Sequence, residues 1–491
     1  MSRLQALLIH SALYRKSIHF TQESLYKGLW LAAALSFFTT LTLPYIGEEA
    51  VYTITSQEMY FYQSWFKPII YGSEYGRPPL YNWLIILLTQ WLGLENVLVA
   101  ARLVSALMSI LSSVLLYVLV CQGTENRWLA LLSVGIFFSG DLLLRRGWLA
   151  YSDPTFAFFC FTACSCLWLS VHKKQCRYLC IAVLAMNAAF LTKAITGYIF
   201  FFGTACILFF YKPYRSFLLK PRMLYLQVIL QILSLCCPLG WHFLFSEGMH
   251  GTGVIKDIQN QLVLLDISEY LRKLVVFPFD VWLRFFPTSF IVAGFLIFRW
   301  RKQKRQFKPL LNLGDAGLTQ EQRFFRITLG IVLLNTLPYW LAPQMRIRYI
   351  LPLYPFIAIL FAYGVWRFEK ACLSWVTVGL LCTVILRFVL GFLWFPYYEQ
   401  RYRGDNQAVA ADIVQRAAKK PIYTNYGGSI GVIVAAHVNA LRLTTGDAPV
   451  LFPEDTLPAG LLFSDIPNYQ AGELVKTYQL GRTSLYLFTQ H

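Results

Sequence analysis

The chain has 491 residues, of which 57% are hydrophobic, 17% aromatic and only 14% charged, with a mean hydropathy of +0.51. Soluble globular chains carry roughly 25% charged residues, so a water-soluble protein is excluded and a membrane protein is expected. The formal charge of +18 reads as the Lys and Arg excess of cytoplasmic loops, not as a nucleic-acid surface.

In chain order, a mixed basic lead containing Arg3, Arg15, Lys16 and Lys27 precedes the uncharged run "GLWLAAALSFFTTLTLPY", Gly28 to Tyr45. No small-residue cleavage site follows, so 28–46 reads as a retained first span. A spanning helix needs roughly 20 mainly apolar residues. Further candidates are 103–121, 128–144, 154–171, 178–192, 196–211, 224–243, 281–298, 327–342, 347–365 and 371–394. That makes about eleven spans and an all-α polytopic membrane fold. With a cytoplasmic N-terminus, the basic runs "HKKQCR", "KPYRSFLLKPR", "RWRKQKRQFK" and "WRFEK" all fall on the cytoplasmic side. The odd count puts the C-terminus outside. The eleven cysteines lie in apolar runs or on the basic side and imply no disulfide framework.

Three outer segments are long: 47–102, 244–280 and 395–491. The second contains "VIKDIQNQLVLLDISEYLRKLVVF", whose apolar spacing predicts a helix lying in the interface plane. The third alternates the short apolar runs "PIYTNYGG", "ALRLTTGD", "PVLFPED", "AGLLFSD" and "SLYLF" with turns, and holds the helical stretch "NQAVAADIVQRAAKK". It reads as a small extracytoplasmic α/β domain. Two units result: a membrane domain, 1–394, and an outer domain, 395–491.

Outer basic residues run against the positive-inside bias, and ionisable groups at a membrane edge usually have partners or a function. Arg77, Arg102, Arg146, Lys193, Arg346 and Arg348 stand out, beside the carboxylates Glu48, Glu49 and Asp153. Guanidinium forks suit phosphate, so the set describes a site for an anionic lipid phosphate beside a general base. Each residue also has a plainer reading: Arg102 as a snorkelling anchor, Asp153 as an N-cap before Pro154, Lys193 as a hairpin lysine. His242 and His250, eight residues apart, do not make a zinc site.

The ordered segments "EEAVYTITSQEM", "YGRPPLYNWLI", "AARLVSAL", "RRGWLAYSDPTFAFF", "AFLTKAITG" and "RIRYILPLYPFIAIL" resemble the C-type (GT-C) membrane glycosyltransferases. They are similar to the protein O-mannosyltransferase and lipid A aminoarabinose-transferase branches. The sequence departs from that pattern in having Glu48 where the first acid is usually Asp, and Gly76 where aminoarabinose transferases carry an acid. The resemblance implies a GT-C fold and transfer of a sugar from a polyprenyl-phosphate donor to a lipid A, glycan or protein acceptor, with inversion. It implies Glu48 as base, Asp153 as a second catalytic acid, and Glu49, Tyr52, Arg77, Arg102, Arg146, Lys193, Arg346, Arg348 and Tyr349 as substrate and lipid-phosphate ligands. No metal ligand set and no cofactor is called for, although a divalent metal stays open. The expected setting is a bacterial inner membrane among its lipids, with the N-terminus cytoplasmic and the C-terminus periplasmic. A polytopic lipid flippase or transporter is the rival reading, and it would place its polar residues near the bilayer midplane.

The topology is testable. Cysteines placed at Tyr60 and Lys476 should react with an impermeant thiol reagent added from outside, and one at Lys304 should not. Outside labelling at Lys304 alone would invert the arrangement.

Overall fold

Apolar runs fold here as helices because backbone exposed to lipid must satisfy its hydrogen bonds within its own segment. The computed structural model describes residues 23–193, 195–245, 263, 266–302, 319–367, 370–425, 428–453, 459–467 and 472–490. Helix α1 (23–36) runs into a 3-10 turn, Phe37–Thr40. The first outer segment holds α2 (Glu49–Phe61), a small hairpin of β1 (Ile69–Ile70) and β2 (Ser73–Glu74), and α3 (Leu80–Leu92). The bundle continues with α4 (Val97–Thr124), α5 (Arg127–Phe137), α6 (Ser152–Lys173), α7 (Cys176–Thr192), α8 (Gly197–Phe210), α9 (Lys212–Leu218) and α10 (Pro221–Phe245). It closes with α11 (Ile267–Leu283), α12 (Thr288–Lys302), α13 (Gln320–Leu341), α14 (Tyr354–Arg367) and α15 (Lys370–Val389).

The chain is thus a multi-pass membrane protein. Among the described residues six helices are long and apolar enough to cross a membrane, or seven if the bent pair α11 and α12 is one span. Helices α5, α7 and α8 are apolar but shorter. At 14 residues α8 rises only about 21 Å, less than the roughly 30 Å hydrocarbon core. Helix α6 lies at the centre, with 83% of its apolar window buried, whereas α10, at 17%, faces outward.

Two expected spans are interrupted. The run 128–144 leaves the helix at Phe137, and Gly140 (φ +54°) packs against the Arg284 and Phe286 carbonyls, where no side chain fits. The run 281–298 breaks around Pro287, which has no N–H to donate, and α11 meets α12 at 103°. The C-terminal part of the expected interface helix is α11; residues 246–262 lie outside the described residues.

The last span also outruns the expected boundary at 394. It passes through a π turn (Leu390–Trp394) straight into α16 (Phe395–Tyr402). Beyond lie α17 (Asn406–Ala417), β3 (Ile422–Thr424), α18 (Gly428–Thr444), β4 (Gly460–Ser464), β5 (Glu473–Leu480) and β6 (Thr483–Gln490). The sheet has the order β3-β4-β6-β5, with β3 parallel to β4 and the other pairs antiparallel. Two strand expectations differ from this, and one strand lies outside them. "ALRLTTGD" lies largely within α18, whose apolar residues share a core with α2 and the sheet. "PVLFPED" contributes only an isolated bridge from Leu451 to Tyr423. Strand β5, "ELVKTYQL", went unread because its mostly exposed face lacks an apolar run.

This C-terminal unit sits on the first outer segment. Tyr45, Ala50, Ile54 and Tyr71 share one core with Ile433, Val434, Leu461 and Phe463. Phe452 N donates to Tyr71 O at 3.1 Å, and Tyr45 meets His437 edge to face at 5.1 Å. At the centre is Glu58, with no exposed surface. It accepts hydrogen bonds from Tyr71 N and Gly72 N, both at 2.9 Å, and from the Asn439 amide at 3.3 Å.

Burial lifts the Glu58 carboxyl from 4.5 to about 7, against those three hydrogen bonds, which pull it down. A carboxyl raised in the folded state binds more protons there than in the unfolded chain. Its favourable contribution is therefore full below pH 4.5 and lost as pH rises through 7. The change is on the order of 3 kcal/mol across that window. Thermal unfolding followed from pH 4.5 to 8 should show stability falling over this range in the native chain, with the slope flattened in Glu58→Gln.

Candidate active site at the outer rim

Gly47 makes the turn that separates the two adjacent acids. Its φ is +65°, and a Cβ there would meet the Tyr151 hydroxyl at 2.6 Å. Glu48 N donates to that hydroxyl at 3.2 Å, and the hydroxyl donates to Ile46 O at 3.4 Å. Glu48 caps α2 by its backbone, and Glu49 is the first helical residue. The two carboxylates therefore leave the chain in different directions.

Glu49 turns inward and is fully buried. Its carboxylate takes a two-pronged pair from Arg102, Nε to Oε1 at 2.9 Å and Nη2 to Oε2 at 2.6 Å. It also accepts from Ala150 N at 2.8 Å and Ile46 N at 2.7 Å. The rest of the Arg102 guanidinium donates to the carbonyls of Thr40, Leu41, Leu43 and Pro44. Arg102 was expected as a snorkelling anchor or a phosphate ligand, and Glu49 as a substrate ligand. Both are instead enclosed, with their hydrogen-bonding capacity taken up by protein.

Glu48 turns outward, its side chain 57% exposed, and meets Arg348 Nη1 at 3.4 Å. Arg348 and Tyr349 are carried by a 3-10 turn, Ile347–Leu353, that leads into α14. Asp153 sits in the first turn of α6, whose N-cap is Tyr151, so Asp153 is not the cap itself. Its buried carboxylate pairs with the Lys193 ammonium from the end of α7. Lys193 Nζ in turn lies over the Tyr349 ring, 4.6 Å from its centroid. The charges of Arg348 and Arg146 also bear on Asp153. Tyr52, on α2, accepts from Ser152 Oγ at 3.3 Å and packs edge to face on Tyr81 and Tyr151. Burial first, then the Asp153 charge, pushes its hydroxyl well above the usual tyrosine range, so it stays a neutral donor. The Arg77 charge reaches Tyr52 as well.

Glu48, Tyr52, Asp153, Lys193, Arg348 and Tyr349 thus form one linked group, with Arg146 and Arg77 in electrostatic reach. Arg346 caps the 3-10 turn and is exposed; none of the ion pairs within the described group includes it. Cations outnumber carboxylates here. Arg348 Nε is buried and makes no hydrogen bond to a protein group, and neither does the buried Arg146 Nε, which faces Asp141 Oδ2 at 3.7 Å. Such donors suit an anion with several acceptor oxygens. Among the described residues no three His, Cys, Asp or Glu side chains gather as a metal donor set.

Sequence reasoning missed a second cluster behind this one. Asp141 pairs with Arg284 at 2.7 Å and Arg146 at 3.7 Å, and accepts from the Tyr354 hydroxyl at 3.3 Å. It ties the break between α11 and α12 to the site. An acid in "SGDLLLRRGW" just before two arginines was the available signal. Arg387, fully buried in α15, was also passed over, although an arginine inside an apolar span demands a reason. Its Nη2 donates to Thr40 Oγ1 at 2.8 Å, and its guanidinium lies 4.8 Å from the Trp148 ring centroid, while Arg102 lies 5.6 Å from the same ring.

Comparison with known proteins agrees with this architecture. The family model described as dolichyl-phosphate-mannose-protein mannosyltransferase matches residues 76–242. The undecaprenyl phosphate-alpha-4-amino-4-deoxy-L-arabinose arabinosyl transferase 2 of Sodalis glossinidius (strain morsitans) is 28% identical over 181 residues, 35% of this chain and 32% of that protein. The match therefore spans about a third of that relative's length. ArnT from Cupriavidus metallidurans, in its crystal structure bound to undecaprenyl phosphate, superposes with a TM-score of 0.65 at 15% identity. That superposition covers 94% of this chain and 98% of the other. The archaeal oligosaccharyltransferase AglB from Archaeoglobus fulgidus, in complex with an inhibitory peptide and a dolichol-phosphate, gives 0.51 at 11% identity, over 85% of this chain and 64% of that one. The fold is that of the C-type membrane glycosyltransferases.

Removing one partner of a buried ion pair costs about 3–5 kcal/mol. Arg102→Ala and Glu49→Ala should each lower the unfolding temperature accordingly in detergent. Neither should behave as a stable protein with a specific loss of anion binding; that result would return Arg102 to the ligand set.

Proposed function

We propose that this chain is an inverting glycosyltransferase. It moves a monosaccharide from a polyprenyl-phosphate donor to a lipid A, glycan or protein acceptor at the periplasmic face of a bacterial inner membrane. The supporting observation is the linked group of Glu48, Asp153, Lys193 and Arg348, which becomes net positive once Arg146 and Arg77 in electrostatic reach are counted, and in which the buried Arg348 Nε makes no hydrogen bond to protein. The rim position of these charges argues against a transport site at the bilayer midplane.

In this reading the donor phosphate lies among Arg348, Lys193, Arg146 and Arg77. The acceptor O–H attacks the anomeric carbon from the opposite side. Its proton passes to the Glu48 carboxylate, the bond from carbon to phosphate oxygen breaks, and the lipid phosphate keeps the electron pair. Fixed cations stabilise the charge growing on that leaving group, and they do so strongly where water is excluded. Asp153 holds the Lys193 ammonium in place, and Tyr52 donates to the sugar or phosphate. The relatives' named substrates guide the choice of donor class. The C-terminal unit packs on the segment that carries Glu48, which favours a periplasmic C-terminus and, with the basic loops, a cytoplasmic N-terminus. We place the junction between the membrane and outer domains after α16 instead of at 394.

A positioned general base contributes about a hundred- to ten-thousand-fold in rate. With a radiolabelled polyprenyl-phosphate sugar and purified acceptors, Glu48→Gln should lose label transfer by that order while still binding donor. Lys193→Ala should weaken donor binding. Turnover close to native in Glu48→Gln would remove Glu48 as the base, and no transfer by the native chain to any acceptor class would remove the enzyme reading.

A further inference from the structure

A second pocket lies in the first outer segment, away from the charged group. It is a cavity of about 160 Å³ between α2, α3 and the turn leading into α4, walled by Ser56, Gln57, Tyr60, Thr89, Gln90 and Gly93 among others. Gln57 stands on its wall nine residues beyond Glu48, roughly 13 Å along the helix axis.

Gln57 is the informative residue. It is only 1% exposed, yet neither its amide nitrogen nor its amide oxygen hydrogen-bonds to any protein group. A buried amide left unpaired is costly, and this one carries two donors and two lone pairs. Its neighbours are better satisfied. Ser56 Oγ donates to Tyr52 O and accepts from Asn82, and Thr89 donates to Ile85 O. No charged side chain lines the cavity, so nothing there would offset the desolvation of an anion or cation. An apolar guest would leave the Gln57 amide unpaired.

We propose that this cavity is a binding site for one neutral, hydroxyl-rich ring of pyranose size. The Gln57 amide donates to one hydroxyl and accepts from the next, and the Tyr60 ring offers a flat apolar wall. A ring held here is too far from Glu48 to be the reacting sugar, so the site serves a non-reacting unit. Asn82, which donates to both Ser56 Oγ and Tyr52 O, joins its wall to the segment carrying Tyr52. That the bound unit is a non-reacting one rests on the proposed transfer reaction; the binding itself does not, because its test measures binding alone.

The full chain in a sugar-free detergent would be titrated with methyl α-D-glucopyranoside, methyl α-D-mannopyranoside and methyl α-D-galactopyranoside, and followed by saturation-transfer NMR. At least one glycoside should bind. Its Kd should rise about tenfold or more in Gln57→Leu, the equivalent of losing one to two hydrogen bonds, with Tyr60→Ala as a second variant should the first fail to fold. Glycerol, which lacks a ring, should bind more weakly than the responsive glycoside. No binding by any of the three, or equal binding by the native chain and the folded variants, would mean that the cavity holds only water. A native chain that binds the glycoside but transfers no sugar would sink the proposed function and leave this site standing.

Discussion

The pair between Glu49 and Arg102 holds the outer rim in shape. It joins the start of α2 to α4, and through the same two side chains it fixes the carbonyls of residues 40, 41, 43 and 44 and the backbone N–H groups of Ile46 and Ala150. Three chain segments far apart in sequence converge on one buried ion pair with little bonding capacity left over. Such a pair is weak evidence of stability, since desolvation can cancel its attraction. Its value lies in geometry. With Glu49 pinned inward, Gly47 and Tyr151 leave Glu48 only the outward direction, beside Arg348 and the mouth of the site.

The site built on that frame separates two kinds of charge. Asp153 is buried, Lys193 is nearly so, and they pair across 40 residues, so each holds the other in place. Glu48 and Arg348 meet at 3.4 Å at a partly wet edge, where an ion pair is held weakly and exchanges readily for a substrate group. A firm pair behind and a loose pair in front suit a site that must keep its electrostatic field while its occupants change.

Much of this was legible in the sequence, for reasons that differ by element. Lipid dictates composition, so spans such as 154–171 and 224–243 stood out as apolar runs. The breaks at Phe137 and Pro287 did not, because the apolar composition continues across them and only packing shows where the helix stops. Arg102 carried the right signal, a guanidinium at an outer helix end, but not its meaning. Its partner lies 53 residues away, and no local spacing says whether an arginine points to headgroups or to a buried acid. The division of labour between Glu48 and Glu49 depends on a glycine turn and a distant tyrosine, which periodicity does not encode. In the C-terminal unit, "ALRLTTGD" has strand-like residues but finishes a helix, because its neighbours in the core, and not its own propensity, decide.

Arg387 has a bearing on how the chain is assembled. A guanidinium facing hydrocarbon costs at least about 2.5–3.5 kcal/mol. In the finished protein the last span reduces that cost by laying Arg387 on Trp148 and Thr40, residues synthesised more than two hundred positions earlier, while its Nε and Nη1 make no hydrogen bond to protein. The span as a whole is apolar enough to enter the bilayer, and it is Arg387 that gains when the earlier helices are already in place to receive it. Assembly thus favours an order in which the last span docks after the segments that carry Thr40 and Trp148.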